Sequence, residues 1–170
     1  MMSAQGAPSP AIKMARDFDS VFVRYLHAQD HRLRPTHHFF DLTATPCRLD
    51  RAKASRYASS SLPAGAVGEW FKASRLPRKK DLQLALSLHP STLSRAPAEK
   101  PMAPVVTERM FRQADLFVRA AEVFGEDGPN WMIKPNPYLE GKAPAEYASN
   151  EFGGERVRTI LNTIAQAGEV

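Results

Sequence analysis

The stretch VVTERMFRQADLFVRAAEVFG, residues 105–125, decides the fold class. Val106, Met110, Ala114, Phe117, Ala121 and Phe124 return every three or four residues, the interval that places them on one face of a helix. Gly125 ends that helix, because glycine takes the left-handed C-terminal cap without steric cost. Reading outward in the C-terminal direction, residues 130–134 supply one or two further helical turns, and Pro135-Asn136-Pro137 breaks them. A turn follows through Leu139-Glu140-Gly141. Pro144 opens a short helix, and residues 153–165 close the chain with Val157, Ile160, Leu161 and Ile164 as a buried stripe.

In the N-terminal direction the spacing predicts a helix over residues 16–28, on Phe18, Val21, Phe22, Tyr25 and Leu26. The first ten residues are small, polar and proline-bearing, with too little apolar surface to offset the entropy of ordering them. Residues 30–66 form a mostly irregular arm with room for one short helix. Val67, Trp70 and Phe71 then mark a helix that stops near Leu76-Pro77. A second helix spans 78–86, and Pro90 starts a third that ends at Arg95 or Ala96. Pro97, Pro101 and Pro104 mark a linker. Nowhere does strand-like alternation compete, so the expected class is all-α. Its parts are an N-terminal arm (1–66), a helix-turn-helix-like segment with linker (67–104) and a helical C-terminal domain (105–170).

The chain has 170 residues, 43% hydrophobic and 24% charged, which is globular composition. Its net charge of +5 is unevenly placed. Residues 1–68 hold 9 basic and 5 acidic side chains, residues 69–104 hold 7 and 3, and residues 105–170 hold 7 and 10. The balance therefore runs +4, +4, then −3. Cys47 is the lone cysteine, so no intrachain disulfide or cysteine-based zinc site forms. The absence of a membrane-length apolar run points to an unexported cytoplasmic protein, with no membrane partner.

Two stretches point to function. In KKDLQLALSLHPSTLSR, residues 79–95, two short helices meet at a tight turn, and the second opens with small polar side chains and ends in arginine. That is the pattern of a helix-turn-helix, whose second helix lies in the DNA major groove. Ser91, Thr92, Ser94 and Arg95 can reach base edges or phosphates, and Arg78, Lys79 and Lys80 stand where backbone contacts are made. The plain alternative is a helical hairpin with a solvated basic face. Ser87 occupies the turn position glycine usually takes, and His89 is a weak N-cap.

The second stretch runs from 121 to 170. Its Val123-Phe124-Gly125, Glu126 or Asp127, Trp131, Pro135-Asn136-Pro137, Leu139, Gly141, Pro144, Gly153, Val157 with Leu161, and Gly168 stand in a typical order. In these residues the chain resembles the toxin-binding domain of the Xre/MbcA/ParS family of type II antitoxins. With the preceding helix-turn-helix segment, the resemblance covers residues 67–170. Departures are Glu140 where glycine is common, Ala145 and Ala148 in place of bulkier apolar residues, and Ala167 in place of an aromatic or histidine.

The resemblance implies a binding protein without catalytic residues or a cofactor. It would inhibit a RES-domain toxin, an ADP-ribosyltransferase-like enzyme that consumes NAD, by covering its active site. Toxin contacts carried over to this chain fall on Trp131, Asn136, Leu139, Arg158, Gly168, Glu169 and Val170, the last two closing over the site. The partners implied are the RES toxin, a second copy in a homodimer within a hetero-oligomeric complex, and operator DNA. A helix-turn-helix regulator whose C-terminal domain only oligomerises is the rival reading.

Trp131 with Pro135, Asn136 and Pro137 could form an exposed interface edge, although such a tryptophan is more often core, with Asn136 bonding the turn backbone. His27 and His31 lie four apart with His37 and His38 behind them, but no carboxylate or thiol completes a metal geometry. They read as solvated histidines, and no metal is expected.

Overall fold

A computed structural model describes residues 6–34, 36 and 38–168. As expected, the fold is all-α in class. In order, α1 spans Pro10–Gln29, α2 Arg51–Tyr57, α3 Ala64–Ser74, α4 Lys79–Leu86, α5 Pro90–Leu93, α6 Pro104–Phe124, α7 Gly128–Ile133, α8 Pro144–Tyr147 and α9 Glu151–Ala167. The sequence shows no alternation, yet two strands of two residues each, β1 (Phe40–Asp41) and β2 (Arg48–Leu49), pair antiparallel with Phe40 opposite Leu49. Two residues are too few for a period of two to register.

The long helix α6 is the axis of the molecule. It is buried on most of its circumference, from Val106 through Met110, Phe111, Ala114, Leu116, Phe117 and Val118 to Ala121. Helices α1, α3, α4, α7 and α9 all touch it. Trp70 of α3 sits between Phe18 of α1 (ring centroids 5.3 Å apart) and Phe117 (5.9 Å), and Phe22 stacks on Phe111 at 4.0 Å. The indole N–H of Trp70 donates to the Met110 carbonyl at 3.0 Å, so the core tryptophan leaves no polar atom unpaired.

Helix α1 begins at Pro10, six residues before the onset its apolar spacing suggests. Ser9 explains the difference. Its hydroxyl accepts from the Ile12 N–H (3.2 Å), and Pro10 takes the first helical position, where a missing N–H costs nothing. Ala11, Met14 and Ala15 extend the buried stripe of Phe18, Phe22 and Leu26 into this first part of the helix.

The proline-rich stretch after α5 is a strap. Helix α3 has Pro63 at its N-cap and so no side-chain cap. The Ala64 and Gly65 N–H groups donate instead to the carbonyls of Lys100 and Ala98, both at 2.9 Å, and the Met102 N–H donates to Leu62 at 2.9 Å. Prolines keep residues 97–103 out of helix while leaving their carbonyls free, which suits them to satisfy the orphan donors of another helix.

Candidate functional site

The C-terminal third folds around α6 through close backbone approaches. A Cβ added at Gly128 would lie 2.6 Å from the Ala121 nitrogen, so α7 can rest on the end of α6 only with glycine there. At the start of α9, a Cβ on Gly153 would lie 1.8 Å from the Tyr147 carbonyl oxygen. Asn150 caps α9, its Oδ1 accepting from the Gly153 N–H at 2.9 Å. From α6, Arg112 and Gln113 bond the carbonyls of Ala148 and Ala145 and hold α8 in place.

Between α7 and α8 the turn is organised by Asn136. Its Oδ1 accepts from Tyr138 N–H (2.9 Å), its carbonyl from Leu139 (3.0 Å) and Gly141 (3.1 Å), and its N–H donates to Lys142 (3.0 Å). Asn136 thus bonds the turn backbone, as its type and place suggest. Glu140 (φ 59°) and Gly141 (φ 77°) both take the left-handed conformation, which accounts for a glycine being usual at the first of these positions.

This turn and α7 form one wall of an open groove, with α9 as the other. Trp131, Pro135, Asn136, Pro137 and Tyr138 line one side and Arg156, Thr159, Ile160, Thr163 and Ile164 the other, enclosing about 610 Å³. Trp131 is half-buried and stacks on Phe124 with centroids 5.2 Å apart. Of the stripe expected to be buried on α9, only Val157 and Leu161 are fully covered. Ile160 is half-buried and Ile164 is 36% exposed. The apolar stripe spans about 100° of the helix, wider than the contact with α6, and its far edge faces the groove.

Residues expected to meet a partner therefore divide. Trp131 and Asn136 are on the groove wall. Leu139 is fully buried and serves packing. Arg158 is on another face of α9, where it pairs with Asp115 (2.5 Å) and Glu155. Arg51 of α2 joins that cluster, 3.3 Å from Glu155, 3.6 Å from Glu151 and 3.8 Å from Asp115. Gly168 ends α9 in the open, while Glu169 and Val170 lie outside the described residues. Tyr138 and Arg156 had no motif to mark them, and only their exposed place in the fold brings them to the groove.

In the basic segment, α4 and the one-turn α5 meet at Ser87, which takes the left-handed conformation (φ 52°) in place of glycine. His89 does cap α5, its Nδ1 accepting from the Ser91 N–H at 3.2 Å. Arg78 is committed to Asp81 through two contacts of 3.2 Å. Lys79, Lys80, Ser91, Ser94 and Arg95 are exposed and Thr92 is half-buried. His27 and His31 meet edge to face at 5.6 Å, and His37 lies outside the described residues. Among the described residues no cluster of three His, Cys, Asp or Glu could hold a metal ion, and no helix is long and apolar enough to cross a membrane.

A helical module that presents an apolar groove beside a glycine-capped α6 is suited to holding another protein. Residues 119–166 match the antitoxin Xre/MbcA/ParS C-terminal toxin-binding domain. The curated protein Antitoxin Xre of Pseudomonas putida is 31% identical over 75 residues, which are 43% of this chain and 47% of that protein. The chain spans about half the length of that relative. These similarities make residues 119–166 resemble an Xre/MbcA/ParS toxin-binding domain, and the whole groove lies inside the matched region.

Proposed function

We propose that the chain is the antitoxin of a type II toxin-antitoxin system and inhibits a RES-type, NAD-consuming toxin by laying its C-terminal region over the toxin's active site. The toxin-binding domain matched over residues 119–166 is the observation that carries this reading. Charge supports it. A site that binds the two phosphates of NAD is electropositive, and residues 105–170 offer it 10 acidic side chains against 7 basic. In this reading the end of α9 delivers Gly168, Glu169 and Val170 to the entrance of the toxin's site.

A second role, autoregulation through operator DNA, is supported by Lys79 and Lys80, exposed at the start of α4, and by Arg95 just after α5. They suit phosphate contacts, with Ser91, Thr92 and Ser94 nearest to base edges and Arg78 held back by Asp81. Pairing of two copies would set the half-site spacing.

The test is co-expression of the toxin reading frame adjacent to this gene with the full chain or with a chain lacking residues 165–170. Growth, cellular NAD and co-purification are recorded. The full chain restores growth and NAD and co-purifies. The shortened chain still co-purifies but protects less, because the tail blocks the site while the helices supply contact area. Equal loss of binding and protection would exclude the covering mechanism, and a harmless, unbound neighbour would exclude the antitoxin reading itself.

A further inference from the structure

We propose that the exposed face of α9 is a helix-docking stripe that takes an amphipathic segment of the toxin with a carboxylate placed against Arg156. The proposal rests on the antitoxin reading above and names the chemistry of the partner at that site. Phe152, Arg156, Ile160 and Ile164 follow one another at intervals of four along α9, so they lie along one side of the helix. From Phe152 to Ile164 the stripe is about 18 Å long, a little over three turns.

Its composition is unusual for a surface. Among the described residues the exposed large hydrophobic side chains are Val105, Tyr138, Phe152 and Ile164. Phe152 (89% exposed) and Ile164 (36%) are the two ends of the stripe, and Tyr138 (77%) stands on the wall beside it. These are side chains that a partner gains by covering.

The polar groups along the stripe are already spent, with one exception. Thr159 and Thr163 donate their hydroxyls to the carbonyls of Glu155 and Thr159 on their own helix, both at 2.9 Å. Asn136 Oδ1 is committed to the turn. Neighbouring Arg158, Arg112 and Arg119 are paired with acids. Arg156 is exposed and has no ion-pair partner among the described residues. An apolar track with one unspent guanidinium selects a segment with apolar side chains three or four apart and one Asp or Glu among them. The stripe lies within residues 119–166, the region matched as toxin-binding, which makes the toxin its occupant.

The experiment titrates the full chain against the toxin encoded by the adjacent reading frame, in an active-site-silenced form, and follows amide hydrogen exchange in the complex. Arg156→Glu raises Kd by about tenfold or more, and Phe152→Ser and Ile164→Ser by about fivefold each, as for anchors of an interface. Arg156→Lys is milder, and the salt dependence of Kd weakens in Arg156→Glu. Residues 152–164 exchange more slowly in the complex than in the free chain. The three substituted positions are exposed, so unchanged melting temperatures show that folding is intact. If wild type binds and these variants bind within twofold of it, or the exchange of residues 152–164 is the same in the complex as in the free chain, the stripe is not the docking site although the antitoxin reading survives. No binding by wild type overturns both. If the chain dimerises in sedimentation, the same substitutions abolish the dimer and toxin affinity is unchanged, the occupant is a second copy and the proposal fails.

Discussion

Asp19 is a carboxylate placed where water cannot reach it. It is 3% exposed on α1 and holds the segment after residue 38 through its Oδ1, which accepts from the N–H groups of Phe39 (2.7 Å) and Phe40 (3.1 Å). Its Oδ2 has no hydrogen-bond partner among the described residues, and His38 Nδ1 is 3.6 Å away. Burial pushes its pKa up from 3.8 to about 6, and the two backbone donors and His38 only partly oppose that rise. A carboxyl whose pKa is raised on folding contributes stability below its unfolded pKa and loses it as pH rises through the folded value. Asp19→Asn carries no such titration. The stability difference between wild type and Asp19→Asn, from urea midpoints, is therefore most favourable to wild type below the unfolded pKa of 3.8 and falls by about 2 kcal/mol between pH 4 and pH 8. A difference that stays flat across that range would show that Asp19 is solvated in the folded protein. This aspartate was illegible in the sequence, because its burial depends on Phe39 and Phe40 folding back twenty residues later. Glu140 was different. Its occurrence where glycine is common was visible as a departure, and its φ of 59° is the physical content of that departure.

At the scale of elements, periodicity and punctuation carried most of the information. The helices α6 and α9 were legible in their apolar spacing, α5 in Pro90, and the turn before α8 in Pro-Asn-Pro. What periodicity could not distinguish was which edge of a wide apolar stripe a neighbour covers, so Ile160 and Ile164 read as core although they border the groove. Residues 97–103 hold a contact the sequence does not display, for a related reason. Proline marks the end of helix, but the hydrogen bonds from Ala64 and Gly65 that make this segment a strap are tertiary. Gly153 shows how tightly these elements are joined. Adding one methyl group there brings it to 1.8 Å from the Tyr147 carbonyl, a backbone atom that cannot swing aside. Gly153→Ala should therefore shift α9 away from α8 at a cost of about 2–4 kcal/mol, although alanine is the better helix former. A lowered thermal midpoint checks this, with Gly68→Ala as the control, because a Cβ at Gly68 meets nothing within 4 Å. Equal melting of the two variants would mean that the α8–α9 junction is looser than described.

For the whole molecule, the question is whether the toxin-binding region is a unit of its own. Composition and linker prolines divide the chain at about residue 104, yet one hydrophobic core runs from Ala11 to Leu161. The face of α6 that does not meet α7 and α9 is covered by α1 and α3, with Phe22 against Phe111, Trp70 against Phe117 and Phe18 behind Trp70. Arg51 ties the arm to α9 as well. Removing residues 1–104 uncovers Phe111 and Phe117 and strips α6 of its largest neighbours. Met14, Phe18, Phe22, Leu26 and Trp70 together represent on the order of 7–15 kcal/mol of burial at about 1.5–3 kcal/mol each. A domain of this size has only about 5–15 kcal/mol of net stability, so the loss is comparable with all of it. Residues 105–170 expressed alone should then lack a cooperative thermal transition and a dispersed amide spectrum, and the full chain should show both. A fragment that melts cooperatively and binds the toxin with the full chain's affinity would establish 105–170 as an autonomous domain. If it does not fold, the first 104 residues are the scaffold on which α9 is presented.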